Sequence, residues 1–132
     1  MRKLVWKLLS ILVMILIFWF SNQNASASNL QSGWFYHLFH GHIQVWFIRK
    51  AAHMSIYALL AFCVYQAQEK PTIKTTLGIV ILYACTDEFH QLFVMGRSCE
   101  MRDVLIDTLG SFVGILIYYK IKLYINKRQK LT

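Results

Sequence analysis

The sequence is poor in charged residues and in proline, and this composition argues against an ordinary soluble domain. Charged residues make up 15% of the 132-residue chain, hydrophobic residues make up 57%, and proline occurs once. Such a balance is high in apolar residues for a soluble globular protein. The three cysteines show no C-x-x-C spacing, so we expect neither a disulfide framework nor a zinc knuckle. We interpret Cys63 and Cys85 as small residues of an apolar core.

Four apolar stretches have the length that a membrane-crossing helix requires. They cover about residues 4–20, 47–67, 76–95 and 104–121. Each is near the roughly 20 residues that cross about 30 Å of hydrocarbon at about 1.5 Å per residue. No internal repeat divides the chain. The sequence therefore predicts one domain over residues 1–132, an all-α integral membrane four-helix bundle.

The basic residues cluster on one side of this four-span arrangement. Ten of the 14 lysines and arginines lie before or in the first residues of span one, between spans two and three, or at and after the end of span four. Under the positive-inside rule, this asymmetry places both termini in the cytoplasm. The formal charge of +8 is thus interpreted as membrane anchoring, and we expect no nucleic-acid partner.

The first span also resembles a secretory signal. Its basic start, apolar run and Ala25-Ser26-Ala27 imitate a signal peptide with its cleavage site. The apolar run is long for a signal peptide, so we expect a retained helix. Cleavage, which would leave three spans, is the alternative.

Polar side chains of three spans are predicted to share one depth in the membrane. With the amino terminus inside, span two begins, span three ends and span four begins at the outer surface. Within each of these spans, polar residues recur at i and i+4, which places them on one helix face. Ionisable groups at such depth mark a site by default. We therefore predict an outward-facing polar pocket formed by Arg49, Lys50, His53, Tyr57, Asp87, Glu88, His90, Gln91, Arg97, Arg102, Asp103 and Asp107.

A close helix contact is predicted beside this pocket. Gly110 and Gly114 share a face with Asp107, and small residues four apart let a neighbouring helix approach closely. We expect that face to point at spans two and three.

Several roles for the pocket stay open. Arg49, Lys50, Arg97 and Arg102 would neutralise the acids and hold the bundle together, although a bundle of this size rarely needs so many charges. The arginines also suit a phosphate or carboxylate ligand. Glu88 with His53 would serve as general acid and base if the protein is an enzyme.

Histidines offer two further interpretations. His53 and His90 with the acids supply donors that first-row metals prefer, but the chain lacks a helical H-E-x-x-H motif, so we expect no metal and no cofactor. His37, His40 and His42 lie among aromatic residues of the first outer loop. For that segment we favour an amphipathic helix on the membrane surface over metal binding.

Four motifs in order resemble the VanZ-like family of small bacterial membrane proteins. They cover all four spans and read Phe20-Ser21-Asn22-Gln23, Arg49-Lys50-x-x-His53-x-x-x-Tyr57, Asp87-Glu88-x-His90-Gln91-x-Phe93 with Gly96-Arg97, and Arg102-Asp103-Val104-x-x-Asp107-Thr108-x-Gly110. The resemblance adds Gln23 to the predicted ligand-binding residues. It also favours retention of span one, because cleavage would remove the first motif. Met95 stands where the family commonly has a proline before Gly-Arg.

The resemblance implies a role at the outer face of the bacterial cytoplasmic membrane. The family is named for a protein associated with low-level resistance to the glycopeptide teicoplanin. The implied ligand is an anionic lipid-linked cell-wall precursor, a phospholipid or a lipoglycopeptide, with membrane lipids as partners. An intramembrane hydrolase or transferase acting on a lipid-linked substrate is the alternative, and an oligomer is left open.

Overall fold

The computed structural model describes residues 1–23, 45–97 and 99–129, and of residues 45 and 46 it describes the backbone. These residues form four α-helices and no strand, which confirms the predicted all-α bundle. The predicted surface helix with His37, His40 and His42, and the Ala25-Ser26-Ala27 segment, lie outside the described residues. The helices are α1 (Arg2–Ser21), α2 (Val45–Ala67), α3 (Ile73–Gln91) and α4 (Met101–Gln129).

Three of the four helices are long and apolar enough to cross a membrane. These are α1, α4 and the part of α2 from Phe47 to Ala67. Helix α3 lies outside this group, because Lys74, Asp87 and Glu88 lower the hydropathy of a segment of only 19 residues. The chain is therefore a membrane protein in which the third predicted span is a real helix but a more polar one.

The bounds of α3 and α4 differ from those predicted. Helix α3 begins earlier than residue 76, because the Thr72 hydroxyl caps it by accepting a hydrogen bond of 3.1 Å from the Thr75 backbone N–H. It ends at Gln91, and residues 92–95 form turns, so the predicted extension to residue 95 is wrong. Helix α4 begins at Met101 and continues to Gln129, well past the predicted end at residue 121.

Contacts at one end of the bundle show that the helices alternate in direction. At one end, Lys3 Nζ donates to the backbone carbonyls of Gln66 and Gln68 at 2.8 and 2.6 Å. The Tyr118 hydroxyl donates to Oε1 of Gln66 at 3.3 Å. The first turn of α1 and the later part of α4 therefore lie at the same end, which we call the basic end. The opposite end, where α1 and α3 terminate and α2 and α4 begin, we call the polar end.

Two glycines bring α4 into close contact with α2. A Cβ added to Gly110 would lie 2.6 Å from the Met54 carbonyl oxygen, and one added to Gly114 would lie 2.8 Å from Cβ of Ala58. Between them, the Ser111 hydroxyl donates to the Tyr57 carbonyl at 3.2 Å. The small-residue face of α4 thus packs on α2, one of the two spans at which it was predicted to point.

The cysteines lie in different environments. Cys63 is buried in the core, as predicted, beside Leu60 and Val64. Cys85 is exposed, so its predicted core position is wrong. The core-facing residues of α3 include Val80 and Ala84, and Cys85 is turned about 100° from Ala84 around the helix axis. It lies on the exposed surface of the bundle.

Candidate functional site

A small polar cavity lies at the polar end of the bundle. Its volume is about 160 Å³. The beginning of α2, the last residue of α3, the turn after α3 and the beginning of α4 all contribute side chains. The lining residues are Arg49, Lys50, His53, Gln91, Gly96, Arg97, Glu100 and Asp103.

Asp87 links three helices beneath this cavity. Its side chain is buried, and Oδ2 accepts hydrogen bonds from the Ser21 hydroxyl of α1 at 2.8 Å and the Tyr57 hydroxyl of α2 at 3.4 Å. Gln91 Nε2, one turn further along α3, also donates to Oδ2 at 3.4 Å. Among the described residues, Oδ1 has no hydrogen-bond partner. The carboxylate therefore holds the end of α1 against α2 and α3.

Glu88 is also buried, and it fixes the segment that leads into α4. Its Oε2 accepts a hydrogen bond of 3.1 Å from the Glu100 backbone N–H, and its Oε1 accepts one of 3.2 Å from Gln91 Nε2. The Glu100 carbonyl in turn accepts from the Asp103 N–H at 2.8 Å, at the start of the helix. Glu88 is not among the side chains that line the cavity. Its contacts are structural.

His53 lines the cavity and approaches Asp107. His53 Nδ1 lies 3.6 Å from Asp107 Oδ1, and the Asp107 side chain is 1% exposed against 25% for His53. This separation is long for a hydrogen bond, and neither Asp107 oxygen has a hydrogen-bond partner within the described parts of the chain. The buried carboxylate therefore faces one ring nitrogen of His53 across a gap that a small rotation of either side chain would close. His53 therefore presents an imidazole to the cavity, with Asp107 buried behind it.

Two ion pairs flank the cavity in different environments. Lys50 Nζ contacts Asp103 Oδ1, with both side chains less than a fifth exposed. Arg102 contacts Glu100 at 2.6 Å, and the arginine side chain is 65% exposed. Arg102 is not among the lining residues. The first pair closes one wall of the cavity, and the second lies on the outer surface.

Arg97 joins the turn after α3 to the end of α1. Its Nε donates to the Gln23 carbonyl at 3.0 Å, and its Nη2 donates to the Phe20 carbonyl at 3.3 Å. Its Nη1 donates to Oε1 of Gln91 at 3.3 Å. Gly96 precedes it with a positive φ of 76°, a conformation that glycine adopts without strain. This turn directs the guanidinium back into the bundle.

The electrostatic environment of Arg97 is unusual for an arginine. Burial lowers the pKa of its guanidinium, and the charge of nearby Arg49 lowers that pKa further, while the charges of Asp87, Glu88 and Asp103 oppose this shift. The hydrogen bonds described for Arg97 go to two backbone carbonyls and one amide oxygen, all of them neutral. Arg49 and Arg97 both line the cavity, and an anion bound between two positive charges lowers their repulsion.

The two histidines of the predicted site have different partners. His90 lies on the α1 side of α3, where Nε2 is 3.2 Å from Oδ1 of Asn22 and the ring packs on Phe18 with centroids 4.5 Å apart. His53 instead contacts Asp107. Within residues 1–23, 45–97 and 99–129, no group of three His, Cys, Asp or Glu side chains is placed to hold a metal ion.

The predicted site residues therefore divide into three sets. Six line the cavity, and Tyr57, Asp87, Glu88 and Asp107 lie buried in the same end of the bundle. Gln23 contributes its backbone carbonyl, while His90 and Arg102 lie away from the lining. Sequence reasoning did not select Ser21, Gly96 or Glu100. Ser21 and Gly96 stand inside the quoted motifs, whereas Glu100 is an isolated loop acid with no pattern to mark it.

Comparison with known proteins identifies a family. Residues 6–124 match the model of a family described as VanZ/LLP1. The matched range includes α2 and α3 entirely and most of α1 and α4. No curated protein and no solved structure matches the chain.

Proposed function

The chain belongs to the VanZ/LLP1 family, and from this premise we propose that its polar cavity binds the anionic group of an amphiphilic ligand. The protein is a multi-pass protein of the bacterial cytoplasmic membrane, and the cavity opens to the outer face. The ligand is a lipid-linked cell-wall precursor, a phospholipid or a lipoglycopeptide. Engagement of this ligand accounts for an association with teicoplanin resistance.

The observation that carries this proposal is the set of cationic groups around the cavity. Arg49, Lys50 and Arg97 all line it. Lys50 is matched by Asp103, whereas the described hydrogen bonds of Arg97 reach neutral acceptors. Planar guanidinium groups recognise phosphate and carboxylate oxygens in a fixed geometry. An oxyanion therefore complements this lining better than a neutral or cationic ligand does.

The distribution of charge along the chain supports an outward-facing cavity. The lysines and arginines near the basic end, including Arg2, Lys3, Lys70 and Lys120, are those that the positive-inside rule assigns to the cytoplasm. The cavity lies at the opposite end, among Arg49, Gly96 and other lining residues. A ligand in the outer leaflet would then reach it without crossing the bilayer.

The proposal is tested by removing one cavity charge and measuring protection. Arg49→Gln, expressed in a susceptible bacterial host, is expected to abolish any protection against teicoplanin while membrane abundance stays at the wild-type level. Arg128→Gln changes an arginine at the far end of α4, which stacks over Tyr124, and serves as the matched control. If Arg49→Gln lowers protection and abundance together, the charges hold the bundle together and do not bind a ligand.

The contact between His53 and Asp107 favours a second candidate, a hydrolase or transferase acting on a lipid-linked substrate. In this candidate His53 is the general base, and Asp107 positions its ring. Glu88, whose two oxygens accept structural hydrogen bonds, is a weaker choice for that role. The test compares lipid extracts of cells that carry the wild type, His53→Ala or no protein. A covalent change in a lipid that requires His53 supports the enzyme, and identical extracts exclude it.

A further inference from the structure

We propose that the group bound in the cavity is the phosphate of a single membrane lipid, and that the lipid's acyl chain lies on the apolar turn between α3 and α4. This inference rests on the proposed function and deepens it. It assigns the ligand to the phospholipid class, including lipid phosphates of similar size, and excludes the body of a glycopeptide from the site.

The size of the cavity limits what can enter it. Its volume is about 160 Å³, whereas pockets for drug-sized ligands measure about 300–1,000 Å³. A phosphate group with part of a small headgroup fits such a space, but a glycopeptide or the sugar-peptide portion of a cell-wall precursor does not. The larger parts of any ligand must therefore stay outside the bundle.

The donors that face the cavity suit a phosphate. A guanidinium carries five N–H groups, and the described contacts of Arg97 use one on each of its three nitrogens. One N–H on each terminal nitrogen is left for a ligand. A lipid phosphodiester offers two charged oxygens in a tetrahedral arrangement, so one oxygen can face Arg97 while the other faces Arg49.

The surface beside the cavity is apolar, which separates a lipid from a soluble anion. Leu92, Phe93 and Met95 lie on the turn that carries Arg97, with exposed fractions of 55%, 75% and 85%. Met101, at the start of α4, is 76% exposed, and Phe93 packs edge-on against Phe89 with centroids 5.6 Å apart. These residues form the apolar turn of the proposal. An acyl chain lying along it would continue directly from a phosphate in the cavity.

Binding to the purified protein in mild detergent tests this proposal. The probes are dioctanoyl phosphatidylglycerol, dioctanoylglycerol, inorganic phosphate and teicoplanin, and isothermal titration calorimetry measures each Kd. We expect the phospholipid to bind, and inorganic phosphate to bind at least about tenfold more weakly because it lacks the chain. Tenfold corresponds to about 1.4 kcal/mol, the burial of roughly two methylene groups. Dioctanoylglycerol, which lacks the phosphate, is expected not to bind.

Three variants assign the binding to the cavity and to the turn. Arg97→Lys and Arg49→Lys keep the charge but remove the planar guanidinium, and each is expected to weaken phospholipid binding by about tenfold. Arg128→Lys, at the other end of the bundle, is the matched control and leaves Kd unchanged. Met95→Gln is expected to weaken the binding of the phospholipid without changing the Kd of inorganic phosphate. Thermal unfolding identifies any loss of folding in Arg97→Lys, and Arg49→Lys, which keeps the links from Arg97 to α1, then carries the test.

The outcomes separate this inference from the proposed function. Equal Kd values for inorganic phosphate and the phospholipid would overturn the acyl-chain assignment. If teicoplanin binds in an Arg49-dependent way and the phospholipid does not, the proposed function stands and the phosphate assignment fails. If no probe shows a Kd that depends on Arg49 or Arg97, both the proposed function and this inference fail.

Discussion

The Ser21 hydroxyl donates a hydrogen bond of 2.8 Å to Oδ2 of Asp87, and this contact joins the last residue of α1 to the buried face of α3. Both side chains are buried. A carboxylate in an apolar bundle is costly unless donors surround it, and Ser21 supplies the shortest of the hydrogen bonds that Asp87 accepts. The end of α1 therefore belongs to the site.

Ser21→Ala is expected to destabilise the protein. The change leaves Oδ2 of Asp87 with only the two longer bonds, both 3.4 Å, so the free energy of unfolding should fall by about 1–3 kcal/mol. Unfolding in detergent, followed by circular dichroism, measures this. Ser55→Ala is the matched control, because its exposed hydroxyl only donates to the Ala51 carbonyl of its own helix. Equal effects of the two substitutions would show that the contact adds nothing to stability.

Alanine substitutions at two glycines are expected to have opposite effects on stability. Gly110→Ala places a methyl group 2.6 Å from the Met54 carbonyl oxygen, so α4 must move away from α2. Overpacking of this kind costs about 1–3 kcal/mol. An alanine at Gly78, in α3, meets nothing within 4 Å and should stabilise the helix by up to about 1 kcal/mol. Melting temperatures of the two variants test the packing, and a stable Gly110→Ala protein would contradict it.

Lys50 and Asp103 are expected to be coupled. Their ion pair is largely buried, and the single changes Lys50→Met and Asp103→Leu each remove one side of it. The double variant removes both charges, and its loss of stability should be smaller than the sum of the single losses by about 0.5–3 kcal/mol. A double-mutant cycle on the free energies of unfolding measures this difference. Additive effects would mean that the pair is not formed.

Asparagine substitutions should distinguish the two buried aspartates. Asp87 accepts three hydrogen bonds at Oδ2, so Asp87→Asn keeps an acceptor oxygen there but replaces charge-assisted bonds with weaker neutral ones, and should cost about 1–3 kcal/mol. Asp107 has no described hydrogen-bond partner for either oxygen, so Asp107→Asn should leave stability equal or higher. The free energies of unfolding of the two variants, measured under the same conditions, test this difference. A larger loss at Asp107 would show that its contact with His53 stabilises the bundle.

The sequence predicts helices better than it predicts the ends of helices. The starts and ends of α1 and α2 agree with the predicted spans within about two residues, because basic or polar residues flank continuous apolar runs. The predicted end of α3 was wrong because residues 92–95 are all apolar and continue the pattern of the helix. The chain nevertheless turns there toward Gly96, which has a positive φ. An exposed apolar turn has the same composition as an exposed apolar helix face.

The sequence predicts which residues gather at the polar end, but it does not predict their partners. Spacing at i and i+4 assigns side chains to one face of a helix, and the alternating direction of the spans predicts that Arg49, His53 and Asp107 share one layer. The rotation and height of each helix decide which groups meet. His53 therefore meets Asp107 while Glu88 meets the backbone of Glu100, a difference of a few ångströms that no residue pattern encodes.

Labelling of Cys99 in intact cells tests the central claim, that the cavity opens to the outer face of the membrane, most directly. Cys99 is exposed and adjoins Glu100 in the cavity wall. In a Cys63→Ala, Cys85→Ala background, a membrane-impermeant maleimide should label Cys99 without permeabilisation. A cysteine introduced by Lys120→Cys after Cys99→Ala, toward the basic end, should be labelled only after permeabilisation. The reverse pattern would turn the cavity toward the cytoplasm and contradict the account.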